Sequence, residues 1–151
     1  VWIAGSVVGS GKISDDLSDT LTSRLGPRLF ATAGIRPHDI DVIEVHDATS
    51  PSEIITLIEL GLCPGKDAPK WIDQGYLEID GRLPTNTSGG LASKGHPIGA
   101  TGLGQIHEIV LQLRGDAGPR QVAGPRIGMT HNGGGILGVD AAAMALHIFR
   151  N

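Results

Sequence analysis

Three histidines stand where strand-like runs give way to loops, and they are the residues whose types and spacing could do chemistry. His46 follows Val42–Val45, His131 follows Arg126–Thr130, and His96 sits in Gly95-His96-Pro97 inside a run of small and hydroxylated residues from Pro84 to Gly104. Gly95 lets the backbone approach a ligand closely, while Pro97 biases His96 towards an extended conformation and suits the first turn of a helix. An imidazole beside the free N–H groups of a helix N-terminus can take up a proton or stabilise developing negative charge. The plain alternative is a Gly-rich loop with an incidental histidine. Open α/β sheets gather ligands at the carboxyl ends of their strands, so His46, His96 and His131 are expected to converge on one site. His38, His107 and His147 fall in a turn, mid-helix and in the tail, and read as surface or packing residues.

Other chemistries fit less well. The spacings between the three histidines match no compact zinc pattern, and there is no cysteine pair, so no metal is expected. Gly133-x-Gly135-x-x-Gly138 has the form of a dinucleotide fingerprint, but the chain ends at Asn151, before the acidic residue that the motif needs about 20 positions on. Gly90 to Gly95 is followed by His96 rather than by the lysine of a phosphate-binding loop. Acid/base or oxyanion chemistry remains, yet no activated thiol accompanies it. Cys63 has no basic neighbour to lower its pKa and reads as a packing residue at a helix end.

The elements that must position these groups alternate between strand and helix. Strands are read at Val1–Val8, Val42–Val45, Arg82–Pro84 and Arg126–Thr130. Helices are read at Pro27–Ala33 after an interruption at Gly26-Pro27, from Pro51 to about Leu60, at Ala68–Gln74, and from Ile98 to Leu113. Gly138 to Phe149 is ambiguous, because its alanines favour a helix while a Gly-bounded run after a strand suits a buried antiparallel strand. The alternation implies an α/β domain with a largely parallel sheet, and residues 1–151 read as one domain.

Composition limits the partners. The formal charge of −4 and a pI near 5.8 argue against nucleic acid or an anionic membrane as a partner. No apolar run reaches the roughly 18 residues of a membrane span. One cysteine and no leader-like N-terminus fit a reducing cytoplasm. Val1 in place of Met, within a strand-like run, suggests a chain cut from something longer.

Asn86-Thr-Ser-Gly-Gly-Leu-Ala-Ser-Lys-Gly-His-Pro-Ile-Gly-Ala-Thr-Gly, Ala33-Gly34-Ile35, Asp39 through Asp47, Glu59-Leu-Gly-Leu-Cys and His131-Asn132 together resemble the C-terminal half of the thiolase superfamily. The likeness is greatest to sterol-carrier-protein-type thiolases and related thiolase-like lipid-transfer enzymes, and it covers almost the whole chain. The resemblance implies a βαβαβαββ half with a five-stranded mixed sheet, helices on both faces, and an antiparallel strand at the tail. It assigns His96 to activating a cysteine carried by an N-terminal half and to the first oxyanion hole. His46 takes the place of an asparagine that holds an oxyanion-hole water, and His131 that of a second, acid/base cysteine. Gly133 matches the glycine whose amide helps the second oxyanion hole, and Asn86, Gly90 and Gly95 belong to the signature loop.

The substrate so implied is a coenzyme A thioester, with no covalently bound cofactor and with CoA-binding residues unknown. The partners are the N-terminal half, in the same or a separate chain, and further copies of the complete protein. Sterol-carrier-type thiolases commonly read His-Asp-Cys-Phe-Ser where this chain has His46-Asp47-Ala48-Thr49-Ser50. Neither Ala48 nor His131 is a cysteine, so thiolysis would need another proton carrier, His131 or His46. Acyl transfer is therefore weighed against two alternatives: retro-aldol cleavage of a hydroxyacyl-CoA, and a non-catalytic acyl-CoA-binding or scaffolding subunit.

Overall fold

A computed structural model describes residues 1–151. The chain folds as β1 (Trp2–Ser10), α1 (Leu21–Ala33), β2 (Val42–Glu44), α2 (Ser52–Glu59), α3 (Ala68–Asp73), α4 (Gly90–Lys94), α5 (Thr101–Arg114), β3 (Ile127–Leu137) and β4 (Asp140–Arg150). The sheet has four strands in the order β1-β4-β3-β2. Only β2 and β3 run parallel; β4 is antiparallel to both of its neighbours, so the sheet is mixed rather than largely parallel.

The fifth strand does not form. Thr85 makes one isolated parallel bridge to Ile43, with Ile43 N–H donating to Pro84 O and Asn86 N–H to Ile43 O. Pro84 has no N–H to continue a ladder, and Asn86 leaves extended geometry at φ 51°.

Side-chain alternation along the strands divides the core between the two faces of the sheet. Ile43, Met129, Leu146 and Ile148 pack with Leu21, Leu25, Leu29 and Phe30 of α1 and Leu57 of α2. Val42 and Phe149 face the other way, onto Ile109 and Leu113 of α5. A Cβ at Gly128 would lie 2.6 Å from Ile109 Cγ2, so the missing side chain is what lets α5 close on β3.

Three element boundaries differ from the sequence expectation. α1 starts at Leu21, capped by Thr20, whose Oγ1 accepts from Ser23 N–H, and it runs through Gly26-Pro27. Burial of Leu21, Leu25, Leu29 and Phe30 along one stripe outweighs the hydrogen bond lost at Pro27. α5 starts at Thr101, so Pro97 lies in the preceding turn, with its carbonyl accepting from Ala100 and Thr101 N–H. β3 runs on to Leu137 because β4 pairs with it along that length, so His131 lies inside the strand rather than at its end. The alanine-rich tail, ambiguous by propensity, is β4, turned back by Gly138 at φ 65° and paired along β3 and β1. The antiparallel strand that the resemblance implied prevails over helix propensity.

Candidate active site

The end of β2, the turn before α5 and the upper part of β3 bring two of the three histidines into contact. His46 and His96 meet edge to face, with ring centroids 4.9 Å apart and an interplanar angle of 84°. Gly133 lies beside His46; a Cβ there would stand 3.9 Å from His46 Cδ2. His131 is buried behind His46 and meets it through the backbone, its Nδ1 accepting from His46 N–H at 3.4 Å.

Hydrogen-bond partners assign the proton on each ring. Thr101 Oγ1 sends its own proton to Pro97 O at 3.2 Å, so at 2.7 Å it accepts from His96 Nδ1–H. In the neutral ring of His96, Nε2 is therefore the free nitrogen. Gln105 must direct its amide N–H to the His131 carbonyl at 3.0 Å, which leaves its Oε1 to accept from Asn132 Nδ2 at 3.2 Å. The same Asn132 amide stands 3.5 Å from His46 Nδ1 and can only donate to it. His46 therefore carries its proton on Nε2. A backbone N–H occupies His131 Nδ1, so His131 Nε2–H donates to Thr22 Oγ1 at 3.1 Å.

The electrostatics follow from burial. Desolvation lowers the pKa of His46, and the neighbouring His96 lowers it further, against the opposing charge of Asp47. Complete burial takes His131 from 6.5 to about 4, with His46 adding to the effect. His131 is a neutral imidazole at physiological pH.

The remaining residues singled out in the sequence hold the loop in place. Asn86 accepts from Val45 N–H at 2.8 Å through Oδ1 and donates to Glu53 Oε2 at 2.8 Å. Gly90, at φ 60°, leaves room for the Asp47 carboxylate, which accepts from Leu91 N–H at 2.7 Å; a Cβ at Gly90 would meet Asp47 Oδ2 at 2.2 Å. Gly95 sits at φ 82° in open space. Beneath the loop, buried Glu44 accepts from Ser88 N–H at 3.0 Å and Ser88 Oγ at 2.5 Å. Burial raises the Glu44 pKa in spite of these bonds. Burial also acts on Glu108, but hydrogen bonds from Arg120, Gln112 and Thr87 outweigh it and lower that pKa.

Thr101, Gln105 and Asn132 were missed in the sequence. Thr101 and Gln105 are one helical turn apart, and Asn132 points to the opposite face of β3 from His131, a pattern that appears only once α5 is known to cover that face.

A cavity of about 430 Å³ opens beside His46 and His131, walled by Ala48, Ile55, Glu59 and Gly133 among others. No group of three or more His, Cys, Asp or Glu side chains is arranged to hold a metal. No helix is long and apolar enough to cross a membrane.

Residues 8–147 match the thiolase C-terminal domain-like family. The chain is 42% identical over 154 residues to an acetyl-CoA acetyltransferase of Methanothermobacter thermautotrophicus, covering 99% of this chain and 39% of that protein. It is 48% identical over 117 residues to human sterol carrier protein 2, covering 78% of this chain and 21% of that one. Among solved structures it is similar to the Ltp2-ChsH2(DUF35) aldolase, with a TM-score of 0.80 and 27% identity over 98% of this chain and 39% of the other. The chain thus spans about two-fifths or less of the relatives it matches. It belongs to the thiolase C-terminal domain-like family.

Proposed function

We propose that the chain is the C-terminal half of a thiolase-type acyltransferase that makes or breaks a carbon–carbon bond in an acyl-CoA thioester. The observation that carries this reading is a pair of touching imidazoles whose Nδ1 atoms meet different partners: the Thr101 hydroxyl leaves neutral His96 a free Nε2, and the Asn132 amide leaves neutral His46 an Nε2–H. A cysteine delivered by an N-terminal half would give its thiol proton to His96 Nε2. The thiolate would add to the substrate carbonyl, and the oxyanion would accept from His46 Nε2–H and from the newly protonated His96. Because the His96 charge lowers the His46 pKa, His46 stays a neutral donor while His96 carries that proton.

The cavity beside His46 would receive the acyl group. Uncovered apolar residues on the α5 side support a docking half: Ile3 and Val8 on β1 are 60% and 71% exposed, and Ile98 and Leu103 at α5 are 87% and 69% exposed. The complete protein is proposed to act in the cytoplasm as a homo-oligomer. A second reading, retro-aldol cleavage of a hydroxyacyl-CoA, is favoured by Ala48 and His131 standing where acid/base cysteines are expected, and by the likeness to an aldolase. Assay of the full-length protein with 3-ketoacyl-CoA plus CoA, and separately with hydroxyacyl-CoA, tests both. Cleavage of the first supports acyl transfer, cleavage of the second alone supports the aldolase, and neither would refute both.

A further inference from the structure

We propose that Asn132, held in orientation by Gln105, is a positioning residue that fixes the tautomer of His46 and so makes it a hydrogen-bond donor at Nε2. This rests on the catalytic reading of His46. Gln105 is 1% exposed and sits on α5 above β3. Its amide has one permitted orientation, because the His131 carbonyl accepts and cannot donate. That orientation presents Oε1 to Asn132 and obliges Asn132 to spend one amide hydrogen on Gln105 and to aim the other at His46 Nδ1.

Gly102 makes room for this amide; a Cβ there would already stand 3.4 Å from Asn132 Cγ. The clamp thus begins at a main-chain carbonyl of β3 and ends on a side chain at the end of β2. The same β3 residue also takes the His46 backbone N–H on its ring. His46 is oriented from its main chain by His131 and from its ring by Asn132. The titratable groups around it are His96 across the ring face, His131 behind it and Asp47 next in the chain.

The test uses the full-length protein. In the parent, long-range nitrogen–proton NMR of labelled histidine should show His46 protonated on Nε2 and unprotonated on Nδ1; the reverse tautomer would overturn the proposal. Asn132→Asp places a carboxylate at Nδ1, which should reverse the tautomer and move the His46 titration upward by about one unit or more. With it, the pH–rate limb should move the same way, and kcat at pH 7 should fall about tenfold or more with KM little changed. A folded Asn132→Asp enzyme with its pH profile and kcat unaltered would also overturn it. Gln105→Leu removes the orienting partner and should give a smaller loss of kcat. The NMR measurement on the parent needs neither activity nor a folded variant, so a protein inactive on every acyl-CoA would sink the catalytic reading and leave the tautomer assignment standing.

Discussion

His46 and His96 reach each other from different elements, the end of β2 and the turn before α5, and touch edge to face with their centroids 4.9 Å apart. Their Nδ1 atoms are held by different partners, an amide donor for His46 and a hydroxyl acceptor for His96. The pair therefore presents one base and one donor.

Replacing His96 should remove the base. His96→Ala in the full-length protein is expected to lower turnover by about a hundredfold or more, with the fold intact because the ring is exposed. Steady-state kinetics with the substrate that supports turnover checks this, and unchanged turnover would take His96 out of the mechanism.

Thr101→Val should leave His96 Nδ1–H without its acceptor and allow the ring to turn. Thr101 is 3% exposed and its hydroxyl also bonds Pro97 O, so some loss of stability is expected as well. Thr101→Ser keeps the hydroxyl and should restore kcat; a serine variant no better than valine would count against the assignment.

His131 makes stability depend on pH. Its folded pKa of about 4 lies below the ordinary histidine value of 6.5, so the unfolded state binds the extra proton between these values and stability rises with pH across that window. The contribution, about 3 kcal/mol, is fully present above pH 6.5 and is lost as pH falls towards 4. Denaturant midpoints measured through this range should flatten in His131→Gln. An unchanged slope would mean that His131 is not the group responsible.

Gly90→Ala should destabilise the loop by about 1–3 kcal/mol, because the position is held at φ 60° and the new Cβ would overlap the Asp47 carboxylate. A thermal midpoint equal to that of the parent would show that the Asp47 carboxylate can be displaced freely.

The 151-residue chain by itself should turn over no acyl-CoA and should self-associate through the uncovered face bearing Ile3, Val8, Ile98 and Leu103. Light scattering and a thiolysis assay check the two halves of this expectation. A monomer at high concentration contradicts the first, and measurable cleavage contradicts the second.

What could be read in the sequence was the placement of chemistry at the ends of elements. His46 follows β2 and His96 precedes α5 as read, whereas His131 lies inside β3, which runs on to Leu137; the three nonetheless lie close together. Boundaries were harder to read wherever tertiary packing overrides a local rule. Pro27 stays inside α1 because four buried side chains hold that helix to the sheet. Ala141–Ala145 form a strand because Gly138 turns them back on β3. Of the residues that set the proton positions, Thr101 and Asn132 stood inside motifs that gave them no role of their own, and Gln105 stood outside any motif. Their roles depend on which way each side chain points across the gap between α5 and β3, and that direction exists only in the folded chain.

The loop of residues 86–94 is fastened to the end of β2 by three separate attachments. Asn86 holds Val45, Ser88 holds Glu44, and Asp47 holds Leu91. Fastened in this way, the loop of residues 86–94 and the His46-bearing end of β2 open together. Their amides should exchange with solvent as one cooperative unit rather than as a frayed loop beside a stable strand. The His46 ring then rides on a unit that opens as a whole, while His96 reaches it from the exposed turn beyond Lys94.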